Sequence, residues 1–172
     1  RAMFLEDEEG EQTFQFNIKG IASALSAGNL HELLMQWIGT GGNGKGVLDS
    51  ACKGVYGDYA FDLQPSNLAL ADRTEKPQSC LLACEKKRFL MVPEAGKKKK
   101  VEFDESLINQ LTGNDKVALR DLFKAQSKTS RRQHYTMFMH MNEPHSSSGS
   151  ASNNALFRRL KVIDFPREFK DE

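Results

Sequence analysis

The chain has 172 residues, 39% apolar and 27% charged, with a formal net charge of +1. These proportions suit one globular domain that buries roughly two-thirds of its unfolded surface. With no run of about 18 apolar residues, the sequence excludes a membrane-spanning helix.

Residues 1–13 are acidic and unpatterned and read as a loose lead-in. They lack the cationic start and apolar centre of a secretion signal and look like the cut edge of a longer polypeptide. The expected organisation is therefore a lead-in over 1–17, a core over 18–166 and a tail over 167–172. Within 18–30, Ile21, Ala24 and Leu25 recur at helical spacing, and Gly28-Asn29 supplies a stop. A core strand is predicted at about 32–38. A helix over 46–56 follows, with Val47, Leu48, Ala51, Cys52 and Val55 as its core face and Gly57 just past its end. Pro77 suits the first turn of another helix running to about Lys86.

The apolar run 88–92 predicts a buried strand, and the lysines of 97–100 a loop. Asp104 can cap a helix through Leu111, which Gly113 ends. Residues 117–133 suggest strand–turn–strand, and 135–141 form a nearly continuous apolar strand. The Ser-rich stretch 146–152 reads as a flexible loop. A last strand covers 160–165, and Pro166 closes it. Strands alternating with helices predict an α/β domain with a mainly parallel sheet.

The chemistry concentrates after the first strand. Gly39, Thr40, Gly41, Gly42, Asn43, Gly44, Lys45 and Gly46 form a glycine-rich loop between a strand and a helix. Glycines let backbone N–H groups converge on phosphate oxygens, while a helix N-terminus and Lys45 add positive potential. Gly46 stands where a Ser or Thr normally supplies a magnesium ligand. Glu94 follows the strand 89–92, where a carboxylate can orient and polarise an attacking water. Asn142, at the exit of strand 135–141, can hydrogen-bond a γ-phosphate or hold that water without adding charge. Arg158 and Arg159 precede the last strand. An arginine offered to a neighbouring subunit's phosphate would stabilise the transition state, and the residues alone leave open which one serves.

Cys52, Cys80 and Cys84 have no accompanying pair at zinc-finger spacing and read as ordinary cysteines. Residues 86–132 hold 13 Lys/Arg against 6 Asp/Glu, a local excess of +7 that suggests a polyanionic partner.

Taken in order, these segments resemble the helicase domain of superfamily 3 helicases, within them the primase-helicases of large DNA viruses, phages and plasmids. Residues 39–45 are similar to that family's Walker A loop, in which Asn precedes Gly-Lys. Tyr56-Gly57-Asp58-Tyr59-Ala60 resembles its Gly-Asp-Tyr signature. Residues 107–115 with the later Arg120 resemble motif B′, strand 135–141 with Asn142 resembles motif C, and 156–165 resembles the closing Arg-Arg segment. The likeness covers roughly 20–166.

This resemblance implies a three-layer, AAA+-like P-loop NTPase that hydrolyses ATP in a homo-hexameric ring around single-stranded or forked DNA. ATP would lie between subunits, with Lys45, Glu94 and Asn142 from one and Arg158 or Arg159 from the next. Mg2+ would be held mainly through phosphates and water near Glu94. The hairpin at about 117–133 would face the pore, with Lys116, Lys124 and Lys128 on DNA phosphates. The setting implied is intracellular, in a host cytoplasm or viral replication site, with other replication proteins as further partners. Gly46, and Pro93 where many relatives carry a second acid, lead to an expectation of slow or magnesium-demanding hydrolysis. Two other readings stand beside it: a nucleotide- and DNA-binding scaffold with little hydrolysis, and a small-molecule kinase.

Overall fold

The computed structural model describes residues 3–26, 28–70, 79–94, 102–113, 115–120, 128–142 and 154–169. The predicted features at Pro77, 97–100, Asn114, Lys124 and 146–152 lie outside the described residues.

Five parallel strands form the central sheet: β1 Leu34–Ile38, β2 Ala60–Asp62, β3 Phe89–Val92, β6 Thr136–Met141 and β7 Leu160–Asp164. Their order is β2-β3-β6-β1-β7. The inner strands read as unbroken apolar runs because both faces are covered. Successive side chains then go to opposite layers. Leu34, Leu90, Val92, Met137 and Met139 pack with Leu81, Leu107, Ile108, Leu111 and Leu156. Met35, Trp37, Phe89, Met91 and Phe138 pack with Ala24, Cys52 and Tyr56. The result is three layers, with α1 Glu8–Ser23 and α2 Lys45–Tyr56 on one face. On the other lie α3 Ser79–Ala83, α4 Glu105–Thr112 and α5 Asn154–Arg159.

Two sequence expectations are corrected. The acidic stretch before residue 18 is largely helix. Asp7 accepts a 2.7 Å hydrogen bond from the Gly10 amide and caps α1, and Glu8, Glu9 and Glu11 sit in its first turn, where the helix dipole favours negative charge. The helix ends at Ser23, earlier than expected. It is fixed to the sheet by the buried Asn17, which accepts from the Trp37 indole at 2.9 Å. The core face of α2 also differs from expectation. Val47 and Val55 are 69% and 76% exposed and Ala51 is exposed, while Lys45, Asp49, Cys52 and Tyr56 are buried. Those four positions form one helical stripe, so turning Lys45 inward sets the phase of the whole helix. Of the expected face, Cys52 is buried and Leu48 packs against the core, while Val47, Ala51 and Val55 are left in solvent.

The hairpin expectation over 117–133 matches an antiparallel pair outside the main sheet. β4 Lys116–Arg120 and β5 Lys128–Arg132 pair with Lys116 opposite Arg132 and Arg120 opposite Lys128.

Candidate functional site

The chain leaves β1 for β2 over one face and leaves β6 for β7 over the other. The C-terminal ends of β1 and β6 therefore mark the point where connections reverse, the usual crevice of an open α/β sheet. The Gly39 amide still donates to the Met141 carbonyl at 3.2 Å, extending the ladder by one step. The glycine turn then folds back, with Gly42 at φ +60 and Gly44 at φ +83, conformations that L side chains rarely adopt.

Gly39 is required by close approach: a side chain there would collide with Asn43 Nδ2 and meet Lys45 Nζ at 3.1 Å. Asn43 is buried and donates to the Phe165 carbonyl at 3.4 Å, tying the turn to the exit of β7. Lys45 is 7% exposed, and its ammonium donates to the Gly39 carbonyl. Burial pulls its pKa below the ordinary lysine value, against the opposing pull of Glu94 and Asp164. The turn thus curls around one desolvated cation.

A cavity of about 590 Å3 opens above it, lined by residues 40–46 together with Val47, Glu94, His140 and Asn142. All eight residues of the predicted loop take part in this arrangement, seven as cavity lining and Gly39 as the ammonium's acceptor. Across the cavity, the Asn142 amide donates to Glu94 Oε1, joining the exits of β6 and β3. Glu94 and Asn142 are thereby brought together with Lys45. At Gly46 a Cβ would meet nothing within 4 Å, so a serine would fit there.

His140 was missed in the sequence. It lies on the same face of β6 as Asn142, two residues before it, and its ring stacks on Trp37 at 5.6 Å. Burial, with Lys45 and Lys53 adding to it, holds its pKa below 6.5, while Asp49 and Asp62 pull the other way. Its Nε2 and the Asp49 Oδ1 are buried without a hydrogen-bond partner among the described residues. The one polar ring in an otherwise apolar run was the available signal.

The flanks set aside as lead-in and tail also reach the turn. The Phe169 amide donates to the Gly42 carbonyl at 2.7 Å, and Met3 Cε lies 2.9 Å from where a Gly44 Cβ would stand. Phe4 packs on Phe165 at 5.1 Å, and Arg167 pairs with Glu6 at 3.1 Å.

The two arginines lie at the other rim of the sheet. Arg159, its side chain 13% exposed, pairs with Glu32 at 2.7 Å and donates to the Asn109 carbonyl at 2.6 Å. It is a structural clamp between α4 and the entry to β1. Arg158 is exposed and has no side-chain partner among the described residues. The two arginines thus have different surroundings, one bonded and largely buried, the other in solvent. Lys116 is exposed at the start of β4, and Lys128 opens β5.

Among the described residues, no group of three or more His, Cys, Asp or Glu could hold a metal ion, and no helix is long and apolar enough to cross a membrane.

No protein-family model and no curated protein sequence matches the chain. Solved structures that share its fold include three of the NrS-1 C-terminal region. An A-form apo structure of the NrS-1 C-terminal region aligns with TM-score 0.62 and 15% identity over 99% of this chain and 36% of that one. A second A-form apo structure of that region gives 0.57 and 15% over 93% and 34%. A further apo structure gives 0.54 and 15% over 88% and 36%. The chain spans about a third of the length of these neighbours, and at this identity the likeness is one of fold.

Proposed function

We propose that the chain is the ATP-hydrolysing motor domain of a superfamily 3 type DNA helicase in a viral or mobile-element replication protein, acting as a ring on DNA. One observation carries the reading: a glycine turn wrapped around a buried lysine faces a Glu94–Asn142 pair across one cavity, at the exits of adjacent parallel strands. That arrangement suits a triphosphate whose terminal phosphate points at Glu94. The turn's amides and Lys45 would hold the phosphates, and Glu94 would take the proton of the attacking water. Asn142 would fix the carboxylate's orientation. Mg2+ would be held mainly by phosphate oxygens and water near Glu94, supplying charge neutralisation when bound. The fold likeness to the NrS-1 C-terminal region is compatible with this setting.

Steady-state ATP hydrolysis with and without single-stranded DNA tests the proposal. Saturable turnover that DNA stimulates and Glu94→Gln abolishes is expected; absence of nucleotide binding would remove it. Gly46 favours a second reading, a nucleotide- and DNA-binding scaffold with little hydrolysis. Because position 46 has room, Gly46→Ser is expected to fold normally and lower the magnesium needed for half-maximal rate. An unchanged requirement would dismiss the magnesium argument.

A further inference from the structure

We infer that Phe169, on the turn that Met3 also touches at Gly44, forms the seat for the base of a bound nucleoside triphosphate. The inference rests on the phosphate reading of the glycine turn and adds the recognition of the base to it.

The direction of the ligand follows from the sheet. Glu94 and Asn142 stand at the exits of β3 and β6, on one side of β1, whereas residues 165–169 leave β7 on the other side. A triphosphate with its terminal phosphate toward Glu94 runs across the turn, and its sugar and base emerge on the β7 side. The cavity lining offers a base little to rest on. Among the described residues its only ring is His140, already stacked on Trp37, and its one large apolar side chain is Val47.

The needed surface lies just outside, on the turn's far flank. Phe169 is 50% exposed, yet its backbone is held to Gly42 by a 2.7 Å hydrogen bond. Two further contacts fix the segment, Arg167 on Glu6 and Phe165 on Phe4. Met3 closes on Gly44, two residues along the same turn. A half-exposed ring on an anchored backbone loses little freedom on stacking, and every base offers a π-face.

The test compares ATP with inorganic tripolyphosphate, which carries the phosphates and no base, binding to the full 172-residue chain. Phe169→Ala is expected to weaken ATP about tenfold (about 1.4 kcal/mol). Tripolyphosphate binding should stay unchanged, and Phe169→Tyr should restore ATP binding. Equal weakening of both ligands would overturn the proposal, because Phe169 would then only support the turn. Unchanged ATP affinity would overturn it while leaving the phosphate reading intact. If the unmodified chain binds neither ligand, the phosphate reading itself fails and the base seat goes with it.

Discussion

Among the described residues, the Lys45 ammonium is held by one carbonyl, that of Gly39, in a place that disfavours its charge. Its burial costs stability and is useful only if an anion is to be met there. Lys45→Met should therefore leave thermal stability unchanged or raised while nucleotide affinity falls at least tenfold; calorimetry and a binding titration read the two effects separately. His140 gives a pH dependence of definite sign. Its folded pKa lies below 6.5, so the unfolded chain takes up the proton first and stability falls as pH drops below about 6.5. The slope from one such group is at most about 1.4 kcal/mol per pH unit. His140→Phe keeps a ring against Trp37 and removes the proton site. Its unfolding free energy, measured between pH 7.5 and 5.5, should decline less than that of the parent chain. At this scale the sequence was partly readable. Glycine, lysine and carboxylate at strand ends announce themselves by spacing, whereas Phe169 and Met3 carry no pattern, because what places them is the meeting of distant segments.

Among the elements, α4 shows how a short helix is fixed at both ends. Asp104 caps it by accepting from the Leu107 amide at 3.0 Å, and Gly113 ends it where a Cβ would lie 2.9 Å from the Asn109 carbonyl. The Asn109 carbonyl also receives Arg159, so one arginine ties α4 to α5 and, through Glu32, to β1. Arg159→Ala should cost about 2 kcal/mol, since the Asn109 carbonyl and Glu32 would lose a charged donor. Arg158→Ala should be neutral; equal losses in chemical unfolding would refute this division. Asp104, Gly113, the apolar strands and the hairpin were legible because caps, stops and periodicity are local properties. The core face of α2 is only partly legible, with Leu48 and Cys52 inward as expected and Val47, Ala51 and Val55 outward, for the opposite reason. Val47, Ala51 and Val55 form a plausible apolar stripe, but the inward demand of Lys45 rotates the helix away from it. The acids of 6–11 likewise show no apolar period, although charge in a first helical turn follows the dipole.

For the whole molecule, strand direction decides what one copy can do alone. The cavity lies at the carboxyl rim of the sheet and Arg158 at the amino rim, with the five residues of β7 between them, about 16 Å of extended chain. A subunit cannot fold Arg158 onto its own cavity, so under the proposed ring the two rims of neighbouring copies must meet head to tail, an arrangement that closes into rings. This geometry makes damage shareable. A Lys45→Met copy keeps a sound amino rim, and an Arg158→Ala copy keeps a sound cavity. Each alone is expected to be inert, yet a mixture should recover part of the hydrolysis rate, because some junctions pair the intact half of one with the intact half of the other. Mixed samples as silent as their components would mean that each copy completes its chemistry without a neighbour.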